Sequence, residues 1–183
     1  MSAAGFFARW RVRLGNPLVA VVLWLARPSP RSIVAGAAIG AIGLWIRARA
    51  AGHLHKQELL TVTGPYAYTR NPLYLGSFVL FVGGAIAANS WWSAAILLGY
   101  FALFYSFVMR REEGELLQHH GEAFREYART VPLFLPRLTA AKLESGAGEF
   151  SFAQYKKNRE YRAAIGFLLL LIVFVVIWRL RSL

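Results

Sequence analysis

The chain has 183 residues, of which 57% are hydrophobic and only 16% charged, with a formal net charge of +12 and no cysteine. A charged share this far below the roughly one quarter of ordinary globular domains argues against a water-soluble fold, and the missing cysteine excludes disulfides, thiolate metal sites and a Cys nucleophile. Lys and Arg cluster between long apolar runs, where anionic headgroups and insertion orientation account for them, so no nucleic-acid partner is expected.

Five apolar stretches follow in chain order. The first, about Leu14 to Ala26, is short for a ~30 Å hydrocarbon layer that needs about 20 helical residues. Arg9, Arg11 and Arg13 precede it, but it ends in Ala26-Arg27-Pro28-Ser29-Pro30 without a small-x-small site, so a cleaved signal peptide is not expected. The second, Ile33 to Ile46 and on to Ala50, carries Gly36, Gly40 and Gly43 at helical spacing, a small-residue stripe suited to close helix packing in lipid. The third, Pro72 to Ala88, and the fourth, Trp91 to Met109, are separated only by Asn89 and Ser90 and predict a tight helical hairpin. A polar stretch, Glu112 to Thr130, places Leu116, Leu117, His120, Phe124 and Tyr127 at helical spacing. The fifth span, Ile165 to Leu180, is an almost unbroken Leu/Ile/Val/Phe run.

The expected fold class is an all-α membrane protein with about five transmembrane helices and cytoplasmic catalytic connecting segments. Most Lys and Arg fall before the first span, between the second and third, and after the fourth, which predicts the N-terminus inside and the C-terminus outside. Arg27, Arg31, Arg179 and Arg181 fall on the other side. No internal repeat is visible, so residues 1–183 read as one domain.

No GxGxxG after a strand, P-loop, HExxH or nucleophile elbow is present. His53 and His55 are two apart and His119 and His120 adjacent, spacings that do not set two imidazoles on one helical face, so no metal site is expected. Asn71-Pro72 reads as a helix start, with Asn at the N-cap and Pro at the first position. Such an end at the membrane face also presents N–H groups and a positive dipole to an anion. Glu112 and Glu113 follow the fourth span, and the hairpin brings them toward Asn71–Tyr74. An anion receptor facing a carboxylate suits a zwitterionic amino-acid ligand. Tyr66, Tyr68 and Tyr74 read either as an interfacial aromatic belt or as a stacking surface for a base or cation.

GPYAYTRNPLYLG at 64–76, then Glu112-Glu113 one hairpin later, GEAFREY at 121–127 and VPLFLP at 131–136 together resemble the integral-membrane methyltransferases. That group includes the isoprenylcysteine carboxyl methyltransferases and the phospholipid N-methyltransferases. The resemblance covers Glu58 to Pro136 as a cofactor core, with an extra C-terminal helix at about 164–181. It implies S-adenosyl-L-methionine as methyl donor and S-adenosylhomocysteine as product. The cofactor positions it implies are Glu58, Leu59, Leu60, Thr61, Gly64, Tyr66, Arg70, Asn71, Pro72, Leu73, Tyr74 and Glu112.

The chain departs from the isoprenylcysteine enzymes in three places. It has Arg70-Asn71-Pro72 where they have RHP, and Glu58 where many have a His, with His55 nearby. Val108 stands where they place a basic residue one turn before the glutamate pair, so Arg110 or Arg111 is the substitute expected. On the acceptor side, Glu113, Arg111 and Glu160 are the candidate catalytic residues, Glu160 also lining the substrate entrance. The partner expected is a membrane lipid or a lipidated or hydrophobic small molecule accepting at carboxylate or amine. A small transporter or scaffold that retains the family motif is the alternative.

Overall fold

The computed structural model describes residues 15, 17–55, 59–142 and 149–182, and every regular element among them is helical. Helical residues 17–25 form α1, and α2 spans Pro30–His53. After a single 3-10 turn at Gly64–Ala67 come α3 (Pro72–Ala88), α4 (Trp91–Thr130), a short α5 (Phe152–Lys157) and α6 (Tyr161–Ser182). Helices α2, α4 and α6 are long and apolar enough to cross a membrane, and α3 is a shorter apolar helix. The chain is an all-α integral membrane protein. Of the first expected span, residues 14 and 16 lie outside the described residues.

Local chemistry sets the helix ends. Ser29 caps α2 in a reciprocal box, accepting from the Ser32 amide at 3.2 Å while the Ser29 amide donates to Ser32 Oγ at 2.9 Å, and Pro30 takes the first helical position. Asn89 closes α3 in the left-handed conformation (φ 49°, ψ 45°), and Ser90 caps α4 through the Ser93 amide at 3.4 Å. The two-residue hairpin expected between Ala88 and Trp91 is therefore present.

The glycine stripe of α2 packs against α3. A Cβ on Gly36 would lie 2.4 Å from the Gly83 carbonyl oxygen, and one on Gly43 would lie 2.8 Å from that of Gly76. Only hydrogen at these positions lets the two backbones approach so closely. Gly40 instead receives the Phe167 ring of α6. At the hairpin end, Ala26, Ala87, Ala88 and Phe174 form a fully buried cluster that gathers α3, α6 and the turn after α1. The Arg27 amide donates to the Ala88 carbonyl at 2.8 Å, and Arg181 donates to the carbonyls of Ala26 and Trp24.

At the opposite end α4 does not run straight through to Thr130. It breaks at Gly121 (φ 52°, ψ −120°). The single amphipathic face expected over Glu112–Thr130 is thus divided. Leu116 and Leu117 stay exposed before the break, and Phe124 and Tyr127 turn inward after it to pack with Val62 and Val131. The segment after α4 then pairs with the loop before α3. Arg70, Arg137 and Ala141 amides donate to the carbonyls of Pro132, Tyr68 and Ala67 at 2.9 Å each. Two motifs far apart in sequence, the 64–76 run and the 131–136 run, form one layer.

Candidate active site

A cavity of about 940 Å³ opens where this layer meets the ends of α2, α3 and α4. Its wall on α3 is a ladder: Asn71, Tyr74, Ser77 and Phe81, one residue per turn from the loop layer into the apolar interior. The loop end carries His55, Thr61, Tyr66, Arg70, Asn71, Glu112, His119 and His120, and the far end carries Leu18, Val19, Phe81, Leu97 and Tyr100. The cavity is thus polar at one end and apolar at the other.

The first turn of α3 meets α4 at one contact, where the Tyr74 hydroxyl donates to Glu112 Oε1 at 2.5 Å. The Tyr74 ring stands edge-on to Tyr105 with centroids 5.4 Å apart, which fixes where the hydroxyl sits. Asn71 occupies the N-cap position of α3, and its carbonyl accepts from the Tyr74 and Leu75 amides at 3.0 Å. Its side chain does not cap the helix, because Nδ2 donates to the Leu133 carbonyl at 3.0 Å. The side-chain cap usual at this position has been redirected to hold the 131–136 segment, and the first turn of α3 faces the cavity without it.

Tyr66 and Tyr127 form the floor. The Tyr127 hydroxyl donates to the Tyr66 carbonyl at 2.8 Å. Burial above all raises the Tyr66 phenol well above its ordinary value of 10.0, with Tyr127, Glu112, Tyr74 and Glu160 adding to the shift. Tyr127 is also raised, by burial first, with Arg70 opposing and Glu113 adding.

Of the residues singled out in the sequence, Leu59, Leu60, Thr61, Tyr66, Arg70, Asn71, Pro72, Leu73, Tyr74, Glu112 and Glu160 line this one cavity. Glu58 lies outside the described residues. Gly64 stands off the wall at φ 59°, its α-carbon seated on the His53 ring, where a Cβ would come within 2.5 Å of Nε2. Glu113 is not part of the cavity wall but pairs with Nη1 of Arg70, which is, at 2.5 Å. Arg111 points along α4 to Glu115 at 2.8 Å, an exposed pair one turn away.

Sequence reading passed over Arg47, Ser77, Tyr127 and Asn158, which also line the wall. Arg47 continues the glycine stripe at 36, 40 and 43 by one more helical turn, so its direction toward α3 was readable from spacing. Nothing local in the sequence places Asn158 there. It arrives because its side-chain amide donates to the carbonyls of Ala51 and Leu54 at 2.8 and 3.0 Å, closing the end of α2.

A family model described as phospholipid methyltransferase matches residues 10–123. Among relatives, the nickel-cobalt-cadmium resistance protein NccN of Alcaligenes xylosoxydans xylosoxydans is 34% identical over 145 residues, 74% of this chain and 67% of that protein. The cobalt-zinc-cadmium resistance protein CzcN of Cupriavidus metallidurans is 35% identical over 111 residues, 60% of this chain and 50% of that protein. The protein-S-isoprenylcysteine O-methyltransferase of Schizosaccharomyces pombe is 29% identical over 82 residues, 45% of this chain and 35% of that enzyme. No solved structure matches. With more than half of its length inside the matched stretch, and with helices built to cross a bilayer, this chain belongs to the phospholipid methyltransferase family.

Proposed function

We propose that the chain is an S-adenosyl-L-methionine-dependent methyltransferase acting on a hydrophobic or lipidic acceptor at the cytoplasmic membrane face. The observation that carries the reading is the Tyr74–Glu112 contact at the polar head of a two-ended cavity. A carboxylate, a phenol and the uncapped first turn of a helix converge there, the donor and acceptor set that a zwitterionic amino-acid moiety needs.

The residues present fit the cofactor. Glu112, oriented by Tyr74, would pair with its amino group, and the start of α3 at Asn71–Tyr74 would receive its carboxylate. Leu59, Leu60, Pro72 and the Tyr66 ring offer apolar and aromatic surface for its adenosyl part. The cofactor brings a methyl group already activated on a sulfonium. The protein's contribution is therefore to orient an acceptor in line with that methyl and to exclude water. The apolar end of the cavity would hold the acceptor's tail, Leu18, Val19 and Phe81 serving as its walls. A carboxylate acceptor needs no base. For an amine, Glu160 on the cavity wall or Glu113 would be the carboxylate that takes the proton, each once released from the arginine that pairs with it, Arg47 and Arg70 respectively. Arg111, turned to Glu115, would act from outside the wall.

In this reading residues 1–183 work as one domain, with the core at 58–136 and the C-terminal helix added to it. The N-terminus and the site face the cytoplasm and the C-terminus faces out, following the Lys and Arg distribution.

The test is calorimetric titration of the detergent-purified chain with S-adenosylhomocysteine, beside Glu112→Gln. Micromolar binding that weakens about tenfold or more in the variant is expected, the scale of a charge-assisted hydrogen-bond pair. A folded wild-type chain that does not bind would overturn the reading in favour of a transporter or scaffold.

A further inference from the structure

Arg47 and Glu160 meet inside the cavity, and neither is needed by the cofactor reading. Arg47 Nε and Nη2 lie 2.5 and 3.0 Å from the two oxygens of Glu160, a bidentate pair with side chains 20% and 9% exposed. Arg47 Nη1 donates to the Leu73 carbonyl at 3.2 Å and to Ser77 Oγ, so the guanidinium is braced in one plane against α3. Both charged residues line the cavity wall. A buried ion pair is weak evidence of a stability role, because desolvation cancels much of the attraction. A cavity with an apolar end and a few convergent charged groups on its wall is a binding site by default.

Position says what that site would hold. Ser77 lies about two turns beyond Asn71 along α3, roughly 9 Å at ~1.5 Å per residue, and Phe81 one further turn. Arg47 therefore sits between the polar head of the cavity and its apolar end, where the head of an amphiphile with its tail against Leu18, Val19 and Phe81 would come to rest. The fork of a guanidinium matches a carboxylate or a phosphate bidentately. Glu160 already demonstrates that match from within the chain. It is delivered by the segment between α5 and α6, outside the family-matched residues 10–123 and held to the end of α2 by Asn158.

We propose that Arg47 is the receptor for the anionic group, carboxylate or phosphate, of the amphiphilic acceptor, and that Glu160 is the internal counter-ion this group displaces. The C-terminal segment thereby sets acceptor selectivity: an anionic head must outcompete Glu160, whereas a neutral amphiphile gains nothing from Arg47. Assigning the site to the methyl acceptor rests on the methyltransferase reading, but binding of an anion there does not.

The experiment uses the full chain in neutral maltoside micelles, without cofactor, titrated calorimetrically with dodecyl phosphate, N-dodecanoylglycine and a neutral dodecyl glycoside. Arg47→Gln is expected to weaken the anionic probes at least tenfold and Glu160→Gln to tighten them at least threefold, both leaving the neutral probe unchanged. A response to only one of the two anionic heads identifies the source of the anion. Arg47 and Glu160 variants that shift anion binding in the same direction, or not at all, overturn the proposal and leave the pair a structural clasp. Should Arg47→Gln fail to purify folded, the sign in Glu160→Gln decides, since misfolding does not tighten binding. A failure here with S-adenosylhomocysteine still bound would sink this site alone, leaving the cofactor reading intact.

Discussion

Gly76 makes the room that Arg47 occupies. A Cβ built on Gly76 would lie 2.5 Å from Arg47 Cγ and 2.8 Å from the Gly43 carbonyl oxygen. The same glycine that lets α2 and α3 pack together therefore also seats the arginine whose guanidinium reaches Leu73, Ser77 and Glu160. Helix packing and the cavity's charge are two consequences of one missing methyl.

Gly76→Ala should accordingly destabilise the chain by about 1–3 kcal/mol, the range for overpacking a close contact. One of the two clashing atoms is backbone and cannot swing away. Gly84→Ala is the matched control on the same helix, since its Cβ would meet Leu170 at an ordinary 3.5 Å. Here the gain in helix propensity, up to about 1 kcal/mol, should leave stability unchanged or raised. Thermal unfolding of the two variants in one detergent checks the pair, and equal effects would contradict the packing account.

Tyr74→Phe removes the hydroxyl that donates to Glu112 and keeps the ring that packs on Tyr105. Because the contact is exposed, the loss in S-adenosylhomocysteine binding should be modest, about 1 kcal/mol or roughly fivefold. The melting temperature should hold. A variant that loses stability but binds normally would make the hydroxyl a structural group instead.

Helices α2, α3, α4 and α6 were legible because lipid makes a simple demand, an apolar run that closes its own hydrogen bonds, although only α2, α4 and α6 are long enough to cross a membrane. Pro72 and Ala88 bound the third helix in both sequence and structure, because proline and the Asn89-Ser90 pair leave no other place to begin and end it. The site was legible in part, through residues next to one another in the 64–76 motif. Glu160 was legible only as a charged residue beside a span, since its partner Arg47 is set by the docking of α6 on α2 through Phe167 and Gly40. The break at Gly121 was hidden because helical spacing of Leu116, Leu117, Phe124 and Tyr127 continues across it. Periodicity does not register one residue with positive φ.

The pH response follows from Tyr66 and Tyr127. Both phenols are raised in the folded chain, chiefly by burial, so folding favours the neutral protonated form. A raised folded value means the stabilisation is fully present below the unfolded value of about 10 and is lost as pH climbs toward the folded values. Melting temperature should therefore be insensitive to these groups between about pH 7 and 9 and fall above pH 10. Tyr66→Phe should flatten part of that alkaline fall. An alkaline limb identical in the variant would assign it to other groups.

Gly121 offers the sharpest test of how the loop layer is built. Its φ of 52° and ψ of −120° match the first central position of a type II′ turn, which side chains with a Cβ avoid. Nothing lies within 4 Å of a Cβ placed there, so no clash would complicate a substitution. The cost of Gly121→Ala is purely conformational, about 1–3 kcal/mol. The relaxed alternative is a helix that continues straight past His120. That would carry Phe124 and Tyr127 off Val62 and break the hydrogen bond to the Tyr66 carbonyl. The floor of the cavity would go with them while the spans stay put. Limited proteolysis should then cut Gly121→Ala within residues 122–142 faster than wild type, and S-adenosylhomocysteine binding should weaken without loss of helical circular dichroism. Proteolysis unchanged from wild type would mean that the tertiary contacts of Phe124 and Tyr127, not the glycine, determine the turn.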